Sequence, residues 1–161
     1  MKIAVVSDSH DRIPMIKQAV ELINKERCDI TLHCGDIVSP FAANAFLGLS
    51  TEFQAVFGNN DGEKIGLQEL FIANNWKLNQ RPYDFFIGQF KIAMLHEPDN
   101  LQAYKARDDL SFVLYGHTHI PSIEKLSDKL IVNPGELCGW ITGRSTLAII
   151  DSNEMNAKLI E

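Results

Sequence analysis

The sequence predicts an α/β fold in which two β-sheets pack face to face with helices on the outside. Two observations carry that expectation. The first half of the chain reads as β-α-β-α-β, which argues for a parallel sheet with right-handed crossovers. The second half turns to short strands separated by turns, interrupted by one short helix.

Taken in order, Ile3 to Val6 is a short apolar, β-branched run bounded by Ser7-Asp8-Ser9-His10 and reads as a buried strand. From Ile13 to Glu26, Ile13, Ile16, Ala19, Val20 and Ile23 fall at helical spacing, with Pro14 tolerated near the start. Ile30 to Cys34 is a second strand. Ser39 is placed to cap a helix that Pro40 opens and that runs to about Leu49. Glu52 to Phe57 is a third strand, ending at Gly58-Asn59-Asn60-Asp61. Tyr83 to Ile87 and Phe90 to Leu95 flank Gly88-Gln89 as a hairpin. A short helix is expected around Asn100 to Ala106. Phe112 to Tyr115, Ser122 to Leu126, Leu130 to Val132 and Leu147 to Ile150 complete the strands. No repeat, linker or composition break divides the chain, so residues 1–161 are expected to form one domain.

Composition narrows the function. With 15 Lys+Arg against 21 Asp+Glu the net charge is −6, which argues against a nucleic-acid polymer as partner, because backbone binding needs a dense basic face. A small phosphate ester held by metal ions stays open. No run approaches the roughly 18 apolar residues of a membrane span, and no secretory leader pattern opens the chain. Cys28, Cys34 and Cys138 lack CxxC spacing, which suggests reduced thiols and a cytoplasmic setting.

The chemistry lies at the strand ends. Asp8 and His10 follow the first strand, Asp36 the second and Asn59 the third. His96 follows the Phe90–Leu95 strand, and His117 and His119 follow Phe112–Tyr115. Ligands of α/β sheets bind outside the carboxyl ends of strands, so these five loops are expected to converge on one edge. Alone, Asp8 reads as a helix cap, Gly35-Asp36 as a turn, Asn59-Asn60-Asp61-Gly62 as an Asx-rich turn and His96 as a satisfied histidine. His117 and His119 differ, because two imidazoles at i and i+2 after a strand are expected to point the same way. Together these oxygen and imidazole donors suit Mn, Fe or Zn.

Asp8-Ser9-His10, Gly35-Asp36, Gly58-Asn59-Asn60-Asp61, His96 and Gly116-His117-Thr118-His119 resemble, in order and over nearly the whole chain, the signature of the calcineurin-like metallophosphoesterases. The short length and Asn133-Pro134-Gly135 resemble its small prokaryotic phosphodiesterase branch. The resemblance implies a four-layer α/β/β/α sandwich with a two-metal site. It places Asp8, His10, Asp36 and His119 on a first divalent cation, and Asn59, His96 and His117 on a second, with Asp36 bridging. It implies Mn2+ first, with Ni2+, Fe2+ or Zn2+ as alternatives. It also implies hydrolysis of small phosphodiesters, in preference to monoesters, by a hydroxide bridging both cations. A homo-oligomer is left open. The alternative is a non-catalytic scaffold or interaction subunit on the same fold, as in a eukaryotic retromer subunit.

Departures from the family pattern carry their own expectations. Asn60 stands where many members have a His that protonates the leaving oxygen, so slower turnover of poor leaving groups is expected. His96-Glu97-Pro98 replaces His-Gly-His and Glu136 replaces a Ser; both alter the expected pocket wall, and Glu136 is expected to repel a highly charged substrate. Arg144 resembles a branch arginine and is a candidate phosphate contact, with a solvated loop arginine as the plain reading. His33 is expected to pack in or beside the sheet, with support of the ligating residues as the alternative, and Trp140 to pack or to stack on a base or apolar leaving group.

Overall fold

The computed structural model describes residues 1–161. Its elements are β1 (Lys2–Val6), α1 (Ile13–Glu26), β2 (Ile30–His33), α2 (Pro40–Ala43), β3 (Glu52–Val56), α3 (Lys64–Ala73), β4 (Lys77–Asn79), β5 (Tyr83–Ile87) and β6 (Phe90–Met94). There follow α4 (Leu101–Lys105), β7 (Phe112–Leu114), β8 (Ser122–Leu126), β9 (Lys129–Asn133), β10 (Leu147–Asp151) and β11 (Asn156–Ile160).

Two sheets result. The first has the order β11-β10-β1-β2-β3-β4, with β1 to β4 parallel and β10 and β11 antiparallel along one side. The second has the order β5-β6-β7-β9-β8, with β6, β7 and β9 parallel between antiparallel edges. Strand alternation decides the layers. Ile3 and Val5 of β1 meet Met94, Phe112, Leu114 and Val132 of the other sheet, filling the space between the two. Ala4 and Val6 turn to the opposite face, where Ile16, Val20 and Ile23 of α1 and Leu67 and Phe71 of α3 cover them. Leu101 and Tyr104 of α4 pack on Ala93, Val113 and Ile131 on the outer face of the second sheet. Helices, sheet, sheet and helix make four layers, as expected.

Local chemistry explains the boundaries. The Ser39 hydroxyl accepts from the Ala42 N–H at 3.2 Å, the cap that opens α2 at Pro40. That helix is shorter than expected: it tightens to a 3-10 turn over Asn44–Phe46 and stops short of Leu49. The residue before α1 is Arg12, which caps nothing with its side chain, so Asp8 is not a helix cap.

Three elements, α3, β4 and β11, leave no clear pattern in the sequence. In α3 only Leu67 and Phe71 are buried while Ile65 and Ile72 face water, so no clean apolar stripe marks it. β4 has three residues, and β11 is an edge strand with no buried residue. Both exist because a neighbouring strand offers them a ladder, which pattern alone does not reveal.

Because β1, β2 and β3 run parallel in one sheet, and β6, β7 and β9 in the other, the loops that leave them gather at one edge of the sandwich.

Candidate metal centre

The loops at that edge are held in uncommon backbone conformations. Asp8, His10, Asp36, His117 and His119 all have φ between 44° and 66°, the left-handed region that non-glycine residues enter at a steric cost. Backbone hydrogen bonds between loops enforce it. Asp8 N–H donates to Gly35 C=O at 3.0 Å, His10 N–H to Asp36 C=O at 2.9 Å, and Gly116 N–H to His96 C=O at 3.1 Å. His117 N–H donates to the Asp8 carboxylate at 3.0 Å. Two glycines permit the approach. A Cβ at Gly58 would stand 2.1 Å from Asp36 Oδ1, and one at Gly116 would stand 1.9 Å from Ser7 Oγ.

The side chains form two groups that share Asp36. In the first, donor atoms of Asp8, His10 and Asp36 lie within 4.8 Å of one another. His119 joins them, its Nε2 3.5 Å from Asp8 Oδ1 and its ring stacked on His10 at 5.6 Å. In the second, Asn59 Oδ1 lies 2.8 Å from His96 Nε2 and 2.9 Å from His117 Nδ1. Asp36 reaches both: its Oδ2 is 3.9 Å from His10 Nε2, and its Oδ1 is 3.5 Å from His96 Nε2. The two imidazoles of Gly116-His117-Thr118-His119 therefore serve different groups rather than pointing the same way. Left-handed φ at 117 and 119 breaks the strand alternation that the expectation assumed.

This donor set fits divalent cations. Asp8 Oδ1 is buried without a hydrogen-bond partner, a costly state for a carboxylate oxygen unless a cation meets it. Carboxylate, amide and imidazole donors match Mn, Fe or Zn. Cys138 also lies near His10 and His119, but its thiol donates to Glu136 and burial pushes its pKa up to about 12, which keeps it from the thiolate form. Burial raises the Asp8 carboxyl. Burial acts the same way on Asp36, but hydrogen bonds and charge from His96 and hydrogen bonds from Asn60 outweigh it and hold the group well below the carboxylate range. Burial disfavours the charged form of His96, and the hydrogen bond and charge of Asp36 reverse that into a raised pKa.

Around these residues stand side chains that hold the donors in place. His33 is buried, accepts from Gly35 N–H at Nδ1 (3.1 Å) and meets Ser9 Oγ at Nε2 (2.8 Å), so it braces the loops after β1 and β2 at once. The Asp61 carboxylate accepts from the N–H groups of Asp36 and Val38, fixing the turn that carries Asp36. Asn60 lies against Asp36, donating its N–H to Oδ1 at 2.8 Å and its amide to Oδ2 at 2.7 Å.

Glu136 does not wall the pocket with negative charge. It is fully buried, and its carboxylate accepts from the N–H groups of Trp140, Ile141 and Thr142 and from His119 Nδ1. The only advance sign of this was a carboxylate three residues after a β-strand, followed by a loop holding Gly139 and Gly143. Glu97 is occupied by an ion pair with Arg81. Arg144 is not brought into the cluster: its guanidinium makes a bidentate pair with Glu161 at 3.0 and 2.8 Å in solvent.

Two sheets meeting at one edge, with a carboxylate shared between two groups of nitrogen and oxygen donors there, define an architecture of metal-centre hydrolases. The chain belongs to the calcineurin-like phosphoesterase superfamily, whose domain model matches residues 1–155. It is 37% identical over 160 residues to a phosphodiesterase of Methanocaldococcus jannaschii, covering 96% of this chain and 95% of that one. The solved structure of an archaeal phosphodiesterase superimposes with a TM-score of 0.92 at 36% identity, covering 99% of each chain. Zinc-bound Vps29 of Entamoeba histolytica superimposes at TM-score 0.72 with 20% identity, covering 99% of this chain and 90% of that one, a likeness of fold alone. No helix is long and apolar enough to cross a membrane.

Proposed function

We propose that this chain acts as one metallophosphoesterase domain that hydrolyses small phosphodiesters with the help of two divalent cations. Asp8, His10, Asp36 and His119 would hold the first, and Asp36, Asn59, His96 and His117 the second. The observation that carries the reading is Asp36, one carboxylate within reach of both donor groups. The 37% identity to a phosphodiesterase supports the diester. Two such cations, when bound, supply an acidified water for in-line attack and neutralise charge developing on the phosphoryl oxygens.

The chain's own residues do the rest. Glu136 and His33 fix the rings and loops that present the donors. Asn60 holds Asp36 by two hydrogen bonds, which makes it a positioning residue for the bridge. The nitrogen and oxygen donor set suits manganese among the candidates, and three unpaired cysteines accord with a cytoplasmic setting. A non-catalytic scaffold need not keep these donors, and here every donor of the pattern is present.

The test is hydrolysis of bis(p-nitrophenyl) phosphate by protein stripped with chelator and reloaded with Mn2+, Ni2+, Zn2+ or Mg2+. Activity is expected to vanish on stripping and return with Mn2+. Undiminished hydrolysis by metal-free protein would overturn the proposal.

A further inference from the structure

Beside the cluster opens a cavity of about 540 Å3, within the size range of small-molecule sites. It is lined by His10, His119 and Asn60 of the cluster, by the Asp11 carboxylate, and by the apolar side chains of Val38, Trp140 and Ile141. Trp140 and Ile141 are 64% and 73% exposed, two large apolar side chains held in water next to a polar centre.

They are not loosely held. The backbone N–H groups of both donate to Glu136 at 3.0 Å. The Arg12 guanidinium lies 4.7 Å from the centre of the Trp140 ring and donates to Cys138 C=O at 2.8 Å, covering the indole from one side. Leu137 and Cys138 N–H groups donate to Ser7 and Asp8 C=O, stitching the loop to the strand end that carries Asp8. Val38 sits at φ 80°, a conformation that a β-branched residue adopts only under constraint, and Asp61 supplies that constraint through the Val38 N–H. A rigid, exposed apolar wall loses little freedom when a ligand covers it.

We propose that this wall, Trp140 above all, binds a planar aromatic ester group of the phosphodiester, so that the substrate class is a diester carrying an aryl ring or a nucleobase. The inference rests on the phosphodiesterase reading and adds the substrate class to it. A flat ring matches the exposed indole, whereas an acyl chain would need an apolar groove longer than three side chains. The net charge of −6 keeps the ligand small rather than polymeric.

The test compares phenyl p-nitrophenyl phosphate with methyl p-nitrophenyl phosphate on Mn2+-loaded protein, since both release the same leaving group. The wild type is expected to show a KM about tenfold lower for the phenyl ester, the scale of one ring stacking on an aromatic side chain. Trp140→Ala should bring the two KM values together, and Trp140→Phe should restore much of the difference.

A second readout needs no turnover. Trp76 is packed against Phe53 and Phe71, so a Trp76→Phe protein reports Trp140 emission alone. Adenosine monophosphate should quench that emission where ribose 5-phosphate does not, and phenyl phosphate should quench it as well if ring stacking rather than base recognition is responsible. An unchanged phenyl-to-methyl ratio in Trp140→Ala, or equal quenching by ribose 5-phosphate, would overturn the proposal. If neither ester is hydrolysed, the phosphodiesterase reading fails, and the quenching experiment still decides whether the wall binds rings.

Discussion

Glu136 and His119 are joined by a 2.8 Å contact between carboxylate and Nδ1, so that in the neutral ring Nδ1 carries the proton and Nε2 offers its lone pair towards Asp8 Oδ1, 3.5 Å away. Two electron pairs facing each other is an arrangement that a cation relieves. A carboxylate behind a ligating histidine also fixes its tautomer and ring orientation. The same carboxylate holds the backbone of Trp140, Ile141 and Thr142, which makes one buried residue common to the donor cluster and to the cavity wall.

Glu136→Gln keeps the shape but removes the charge. Metal affinity is expected to fall about 10–100-fold, the usual consequence of losing such an outer partner. Titration of stripped protein with Mn2+, followed by calorimetry, measures it. Affinity equal to wild type would show that Glu136 serves the loop and not the histidine.

The position of Asn60 makes a kinetic prediction. Its backbone N–H and one amide N–H are given to Asp36, and an amide cannot transfer a proton at neutral pH. General acid catalysis is typically worth about 10²–10⁴-fold, most for poor leaving groups. Diester rates should therefore fall steeply as leaving-group pKa rises, with aryl esters far ahead of alkyl esters. A shallow dependence, with chemistry confirmed as the slow step, would mean that another group supplies the proton.

How much of this was legible in the sequence follows from the kind of signal each part left. Strand-end polar residues such as Asp8, Asp36 and His96 interrupt apolar runs, so their convergence could be read from the order of elements. The layers followed from the change between β-α-β alternation in the first half and turn-separated short strands in the second. By contrast, α3 buries only Leu67 and Phe71, and β11 borrows its order from β10, so neither left a pattern. The resemblance puts Glu136 on the pocket wall, whereas the partners that bury it lie in the loop that follows. The hydrogen bonds of Glu136 to Trp140, Ile141, Thr142 and His119 exist only once the loop is folded. Arg144 was placed by resemblance, and Glu161 on the last strand's end captures it.

His33 supplies a pH prediction. Burial lowers its pKa from 6.5 to about 3, and both ring nitrogens are engaged in the neutral form. Between those values the unfolded chain binds a proton that the folded chain refuses. Stability therefore falls as pH drops from 6.5 towards 3, by up to about 1.4 kcal/mol per pH unit from this group. His33→Gln should be less stable at pH 7 yet show a flatter decline between pH 6.5 and 4 in denaturant unfolding. Parallel curves would show that His33 is not a source of the slope.

The central claim is that Asp36 is shared by two cations, and counting metal ions per chain tests it most directly. Mass spectrometry of Mn2+-loaded protein should give two per chain for the wild type. Asp36→Asn, which removes the shared charge while keeping the side-chain shape, should hold fewer than two and lose diesterase activity by orders of magnitude. Two ions retained by Asp36→Asn together with the wild-type rate would contradict the account.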